Sequence, residues 1–442
     1  MSDLHPHAQK NERTIAIVGL GYVGLPLALL FVQKGFQVIG IDLVSHKIDR
    51  LNSGISYIDQ IQDRDIQAAL DSKRFVPSVH YSELQKAEAV IICVPTPLTA
   101  HGTPDLSYLT QAAKEISRYL HKRQLVILES STYPGTTREI LLPQLNQAGL
   151  TVGADFHVAY SPERVDPGNQ EYAVESIPKV ISGVTPGCLD RVKELYGQVF
   201  THVYPVSSTD AAEMTKILEN AYRLVNISFI NEMAVICDAL NLNAWEIIEA
   251  AKTKPFGFKA FYPGPGVGGH CIPVDPSYLV WKINQYGIDS EFIQLSNAVN
   301  HRMPLYIIQH LKRQLAPKTL KGAAILVYGA AYKADIADYR ESASVELIHL
   351  LQLEGAEVSY HDPYIPSLEV DGHKMASTPI TEAILKKSDC VVIATDHASL
   401  PLSLLAEHAP LIYDTRNVTS GLTGKAKIVR LGGGDQPHGK QK

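Results

Sequence analysis

The sequence predicts an α/β protein: two Rossmann-like parallel-sheet domains joined by a central helical domain with one long helix. Three observations carry this expectation. The first third of the chain alternates short apolar runs with helical periods, which is the pattern of successive βαβ units. The last third repeats that pattern. Between them, residues 209–242 contain neither Gly nor Pro and keep a mostly helical apolar spacing, as one very long helix would.

Taken in order, TIAIVGL is the first strand, a helix starts at about Gly24, FQVIGID is the second strand, and a polar helical stretch follows. AEAVIICVP, another helix and LVILESS complete the first set. The long helix joins the halves and offers surface for dimerisation. In the last third AAILVYGAAYK, GAEVSYHDP and SDCVVIATDHAS match the first three strands in the same order. These signals place boundaries at 13–205, 206–315 and 316–432. Residues 1–12 and 433–442 are read as flexible tails.

Composition agrees with a multidomain globular chain and excludes several classes. The 442 residues are 45% hydrophobic and 19% charged, enough for two or three buried cores. Forty Lys and Arg against 46 Asp and Glu give a net charge of −6 with no long run of one sign, which speaks against nucleic acid and anionic membranes as partners. The five cysteines (Cys93, Cys188, Cys237, Cys271, Cys390) are scattered without a CxxC pair, so neither a disulfide framework nor a metal site is expected. The longest apolar stretch, 15–31, is interrupted by three glycines and Pro26, unlike a signal peptide or membrane span. A reducing cytoplasm is the expected compartment.

The strongest local signal is Gly19-Leu20-Gly21-Tyr22-Val23-Gly24, between a strand and a helix. The first glycine permits the tight turn, the second lets backbone amides reach a pyrophosphate, the third lets helix and strand approach, and the helix N-terminus adds positive potential. Asp42 ends the next strand, where a carboxylate accepts from ribose hydroxyls and repels a 2′-phosphate. NAD is therefore the expected cofactor rather than NADP. Lys47 has two readings, a cofactor contact or an ordinary helix-surface lysine. The matching turn Gly329-Ala330-Ala331-Tyr332-Lys333 lacks the second and third glycines, so no second dinucleotide is expected there, although its crevice can hold another nucleotide.

A second signal is the glycine-rich run FYPGPGVGGHCIPVDPSYLVWK around Cys271. A helix is expected to begin near Pro276, with Asp275 as its N-cap. A thiol just ahead of a helix N-terminus and near a lysine titrates below the free value of about 8.5 and is nucleophilic. The plain alternative is a small buried hydrophobe, the reading given to Cys93, Cys390 and Cys237. Lys216 and Asn220 share a face of the long helix one turn apart. Spacing alone assigns Lys216 no role.

With GLGYVG, the motifs CVPTP (93–97), STYPGTT (131–137), SPERV (161–165), TKILEN (215–220), PGPGVGGHCIPVDP (263–276), YKADIADYRES (332–342) and YDTR (413–416) resemble the UDP-glucose/GDP-mannose dehydrogenase family along nearly the whole ordered chain. The resemblance implies an N-terminal NAD domain, a central domain that makes a homodimer or higher oligomer, and a C-terminal domain for the sugar nucleotide. It implies oxidation of a UDP-sugar's C6 alcohol to a carboxylate with two NAD reduced. Cys271 is then the nucleophile that forms a thiohemiacetal and a thioester. Lys216, Asp275 and a water handle the alcohol proton and the developing oxyanion, and Asn220 holds that oxygen. Glu163 assists hydrolysis and Thr132 orients a water; without the resemblance they read as a salt-bridged loop glutamate and a turn threonine.

The resemblance further assigns Leu20, Tyr22, Val23, Pro95, Thr96, Thr132 and Arg340 to the cofactor. It assigns Glu163, Arg164, Lys216, Asn220, Tyr262, Gly264, Gly266, Gly268, Lys333 and Arg416 to the substrate. The chain departs from the family at Asp166-Pro167-Gly168-Asn169, where an acidic residue is often found, and at His270, where many UDP-glucose enzymes have Ser. SPERVDPGN and TKPFGFKAFYPGPG look most like enzymes of bacterial surface-polysaccharide synthesis that oxidise UDP-N-acetylhexosamines, UDP-N-acetylglucosamine above all. UDP-glucose, UDP-N-acetylgalactosamine and UDP-N-acetylmannosamine are the alternative substrates. A two-electron hydroxyacid dehydrogenase would leave Cys271 and the last third unused, and a non-catalytic NAD-binding protein would leave Cys271 dispensable.

Overall fold

The computed structural model describes residues 13–434 apart from 59, 100, 165–171 and 270. The predicted tail 1–12, residues 435–442 of the predicted tail 433–442, and the segment Asp166–Asn169 therefore lie outside the described residues. The chain divides into two compact units, one of residues up to Glu219 with Val274–Ile288, the other of Asn220–Pro273 with the chain from Asp289 onward.

The first unit is built on β1 (Thr14–Val18), β2 (Gln37–Ile41), β3 (Phe75–Ser78), β4 (Ala89–Ile92), β5 (Leu125–Leu128), β6 (His157–Tyr160), β7 (Lys179–Gly183) and β8 (Val203–Pro205), in the order 3-2-1-4-5-6-7-8. Its first six strands are parallel and have the order of a dinucleotide-binding Rossmann sheet. Both faces are covered, and alternation decides which residue goes where: Ile15 and Ile17 enter one core, Ala16 and Val18 the other. β7 runs antiparallel to β6, with Tyr160 opposite Ser182. Its first residue, Lys179, therefore lies at the same end of the sheet as the carboxyl ends of β5 and β6.

The second unit carries β9 (Ala324–Tyr328), β10 (Glu357–His361), β13 (Cys390–Ile393), β14 (Leu411–Asp414) and β15 (Lys427–Arg430) in a parallel sheet of order 10-9-13-14-15. β11 (Ser367–Val370) and β12 (His373–Ala376) form a separate antiparallel hairpin. The three strands matched to the first half by sequence are β9, β10 and β13, adjacent as β1, β2 and β4 are. The expected α/β class, with two parallel sheets and a long helix, is what the chain adopts. That helix is Thr209–Leu240, with residues up to Glu219 in the first unit and the remainder in the second.

One local expectation is corrected. The helix expected near Pro276 runs Cys271–Asn284, so Asp275 is an interior residue and not an N-cap. Pro273 falls in the first turn, where the missing N–H has no intrahelical partner to lose, and Pro276 costs one backbone bond inside the helix. Burial of Val274 and Tyr278 in an apolar cluster with Tyr133 holds this helix in place despite that loss.

Candidate active site

The fingerprint turn is shaped by close approach. Gly19 has φ of 93°, and a Cβ there would lie 2.6 Å from the carbonyl oxygen of Cys93; a Cβ on Gly24 would lie 1.9 Å from that of Gly19. Gly21 differs, since nothing lies within 4 Å of an added Cβ. The open space sits where the backbone must meet a pyrophosphate at a helix N-terminus. Asp42, next after β2, accepts the N–H groups of Leu20 at 3.1 Å and Val44 at 3.0 Å. Lys47 reaches the same carboxylate at 3.2 Å, which leaves about one acceptor position of Asp42 open. These features fit NAD.

Pro95 and Thr96 follow β4. The Thr96 hydroxyl donates to the carbonyl of Ser131 at 2.6 Å, and that of Ser130 to the carbonyl of Val94 at 2.6 Å, tying this loop to the one carrying buried Thr132. Glu213 fixes the far end of the Thr132 loop. Its buried carboxylate accepts the N–H groups of Gly135 at 2.6 Å and Thr137 at 2.8 Å and the Thr137 hydroxyl at 2.7 Å. Burial pushes the Glu213 carboxyl from its ordinary 4.5 up to about 7 against those bonds. Glu213 lies one helical turn before Lys216, so one helix positions both.

Lys216 donates from Nζ to the backbone carbonyl of Glu163 at 2.6 Å, joining the TKILEN and SPERV segments. One Glu163 carboxylate oxygen accepts the N–H of Arg164 at 2.8 Å and the other lies 3.1 Å from Lys179 Nζ. Lys179 also lies 2.9 Å from Glu129, whose carboxylate accepts the Tyr196 hydroxyl. Burial raises the Glu129 carboxyl above its ordinary range while Lys179 pulls it down. Arg164, expected at the substrate, is paired with Glu219 at 2.7 Å. Asp275 is buried in the helix Cys271–Asn284, one turn after Cys271, and is close enough to Tyr160 that, after burial and Glu213, its charge helps to raise that phenol.

In the second unit the glycine-rich loop lies against the ends of the sheet. A Cβ on Gly264 would meet the Arg416 guanidinium at 2.5 Å, one on Gly266 the Ala343 side chain at 3.1 Å, and one on Gly268 the Tyr332 side chain at 2.6 Å. The Gly264 N–H donates to buried Asn231 on the long helix at 2.9 Å. Arg416 also donates to the carbonyl of Ala394 at 2.8 Å. Tyr262 stacks on Trp245 at 5.9 Å, and its hydroxyl donates to Glu249 at 2.5 Å. Arg340 pairs with Asp338, and Asn220 lies one turn beyond Lys216 on the long helix. Lys333 follows Tyr332, directly after the β9 turn.

Sequence reading missed Glu129, Lys179, Glu213 and Asn231. Glu129 could have been found, since it is a charged residue directly after an all-apolar parallel strand, where α/β sites are built. Lys179 could not, because only the antiparallel pairing of β7 brings it to that end. Cys93, Cys188, Cys237 and Cys390 are buried, as read for three of them. Among the described residues no cluster of His, Cys, Asp or Glu is arranged for a metal ion, and no helix is long and apolar enough to cross a membrane.

A Rossmann sheet with an open glycine turn, followed by a second parallel sheet, defines an NAD-dependent dehydrogenase with a nucleotide-binding partner domain. The chain belongs to the UDP-glucose/GDP-mannose dehydrogenase family, whose NAD-binding domain matches residues 13–200, central domain 210–302 and UDP-binding domain 326–421. It is an oxidoreductase, an NAD-dependent nucleotide-sugar 6-dehydrogenase. It is 36% identical over 392 residues to UDP-N-acetyl-D-glucosamine 6-dehydrogenase of Pseudomonas aeruginosa, covering 88% of this chain and 91% of that protein. It is 34% identical over 422 residues to NDP-N-acetyl-D-galactosaminuronic acid dehydrogenase of Ralstonia nicotianae, covering 92% and 96%. The solved UDP-D-ManNAc dehydrogenase of Pyrococcus horikoshii superposes with a TM-score of 0.87 at 32% identity, over 96% of this chain and 100% of that one.

Proposed function

We propose that this enzyme oxidises the C6 hydroxyl of UDP-N-acetylglucosamine to the carboxylate, for surface-polysaccharide synthesis in the cytoplasm, as a homodimer or higher oligomer. The observation that carries the chemistry is the Lys216 bond to the Glu163 carbonyl at 2.6 Å, on the same helix whose Glu213 holds the Thr132 loop, within one unit. Choice of the N-acetylglucosamine substrate is supported by the length and identity of the match to the P. aeruginosa enzyme and by SPERVDPGN and TKPFGFKAFYPGPG. UDP-N-acetylmannosamine and UDP-N-acetylgalactosamine are the second reading, favoured by relatives named for those sugars.

The fingerprint amides and Asp42, with Lys47 beside it, hold the dinucleotide. When bound, NAD supplies the hydride acceptor for each oxidation. Lys216 and Asn220, one turn apart, hydrogen-bond the C6 oxygen as its proton leaves, with Asp275 and a water to receive that proton. An aldehyde has no hydride to give until a nucleophile adds, and Cys271 supplies the thiolate. Glu163 then draws a proton from the water that Thr132 orients, and the acyl group leaves sulfur as a carboxylate. Tyr262, Lys333, Arg416 and the loop glycines hold the nucleotide end.

A panel of UDP-sugars assayed for NADH tests the reading. Two NADH per UDP-N-acetylglucosamine, with the highest kcat/KM of the panel, supports it. One NADH per sugar supports a hydroxyacid-type dehydrogenase, and a higher kcat/KM for another sugar moves the substrate assignment there.

A further inference from the structure

We propose that Lys179 is a positioning residue for thioester hydrolysis, acting on the reaction only through the Glu163 carboxylate. The proposal rests on reading Glu163 as the base of that step. Continuing the Tyr160–Ser182 register of β6 and β7 by three residues brings Glu163 opposite Lys179, and their side chains meet at 3.1 Å. The other Glu163 oxygen is held by its neighbour's N–H at 2.8 Å, so the carboxylate is fixed at both oxygens. Lys179 is fixed in turn from behind, by Glu129 at 2.9 Å and by the faces of Phe200 and Tyr196 at 5.2 and 5.9 Å. Side-chain exposure rises along this row from 0% at Glu129 through 5% at Lys179 to 13% at Glu163. A charged row leads from the core to the one carboxylate that opens outward.

Stability alone does not account for the row, because buried ion pairs are commonly matched or exceeded by apolar residues of similar volume. Ionisation does account for it. Burial works against charge on Lys179, but Glu129 and Glu163 outweigh it and hold the amine above its usual range, so it stays an ammonium. An ammonium 3.1 Å from one Glu163 oxygen holds that carboxylate in place by a charge-assisted hydrogen bond. In the step itself, water oxygen bonds to the acyl carbon and one water proton passes to Glu163. The carbon–sulfur bond breaks with its electron pair on sulfur, and the carboxylic acid formed gives its proton to solvent.

The experiment uses the full chain with NAD and whichever UDP-sugar the wild type oxidises fastest. Lys179→Met should keep a rapid burst of two NADH per site, keep KM within about 3-fold, and lose steady-state kcat by ~100-fold or more. Intact mass should then show the sugar-nucleotide acyl group on the protein. Glu163→Gln should do the same, and the double variant Lys179→Met/Glu163→Gln should be no slower than the slower single. Because Lys179→Met strands Glu129, Lys179→Met/Glu129→Leu is the control, expected to recover the thermal midpoint without recovering turnover. Wild-type turnover in Lys179→Met, multiplying defects in the Glu163 double, or recovered turnover in the Glu129 double would each overturn the proposal. An adduct with Glu163→Gln but none with Lys179→Met sinks Lys179 alone; no adduct with either sinks the reading of Glu163 and the proposal with it.

Discussion

Asp42 and Asp362 occupy the same place in the two parallel sheets. Each follows the strand beside the first strand of its sheet, accepts from the turn after that first strand (the Leu20 N–H for Asp42, those of Ala330 and Ala331 for Asp362), and accepts the N–H two residues further along its own chain. They differ in how full they are. Asp362 accepts from Ala330, Ala331, Tyr364, Ile365 and the His397 ring, more donors than the four or so lone-pair positions of a carboxylate. Asp42 accepts three, one of them from the Lys47 side chain.

The pair predicts opposite phenotypes. Asp42→Ala should weaken NAD binding by about 10-fold or more through lost charge-assisted ribose bonds, and should narrow the preference over NADP. Asp362→Ala should leave NAD affinity near wild type and cost about 3 kcal/mol or more of stability by stranding buried donors. Calorimetric titration and thermal unfolding of both variants check this; NADP used as well as NAD by the wild type would remove the ribose role from Asp42.

His397 gives the Asp362 site a pH dependence with a definite sign. The Asp335 N–H donates to Nδ1 at 2.9 Å, so the ring proton sits on Nε2 and is given to Asp362 at 3.0 Å. Burial raises the Asp362 carboxyl, but His397 and the turn amides outweigh it and leave the group below its ordinary 3.8. Its stabilising contribution is complete above 3.8 and falls away as pH drops below that value.

Glu213 should behave in the reverse sense. Its folded-state value of about 7 exceeds the ordinary 4.5, so the folded protein binds the proton more tightly between those values. Stability from this group is full below about 4.5 and is lost as pH rises through 7, a swing of about 3 kcal/mol. Glu213→Gln should flatten that slope, its one amide oxygen still accepting from the Thr137 donors while the Gly135 N–H loses its acceptor. Denaturant midpoints at intervals from pH 5 to pH 8 measure it; an unchanged slope would mean that another group titrates there.

The legible part of this protein was whatever depends on neighbours in sequence. The GLGYVG turn, the strand-end Asp42, the long helix and the repeat of β1, β2 and β4 in β9, β10 and β13 all follow from local period and turn chemistry. What escaped depends on pairing across the sheet. Lys179 meets Glu129 and Glu163 only because β7 is reversed, and no local period announces a reversal. Asp275 followed by Pro276 was legible but misleading: a common N-cap pattern lies inside a helix whose tertiary packing outweighs the missing N–H.

Lys333 and Arg416 should act on binding and not on the chemical step. Arg416 lies against Gly264 in a loop whose own amide is held by Asn231, so its charge is presented by a fixed frame. Neutralising either residue should raise KM by about 10- to 100-fold with kcat within a few-fold, because binding is removed in ground and transition states alike. A large loss of kcat at unchanged KM would place them in the chemistry.

Cys271 carries the decisive prediction, and the position of its helix sharpens it. The helix begins at Cys271 itself, not several residues later, so this residue opens a 14-residue helix. The other four cysteines are buried, and burial raises the Cys93 and Cys390 thiols well above their ordinary range. Alkylation near neutral pH should therefore modify one cysteine per chain, with loss of activity and protection by bound UDP-sugar. Cys271→Ser keeps nearly the same shape but replaces the proposed nucleophile with a far weaker one, so substrate and NAD affinity should persist while carboxylate formation falls by several orders of magnitude. The first oxidation needs no bond to the protein, so the variant should still reduce NAD once, slowly, or accumulate an ester visible by intact mass. A Cys271→Ser enzyme that makes the uronic acid at a rate near wild type would exclude the thioester route for this protein, because a serine hydroxyl cannot supply the thiolate on which that route depends.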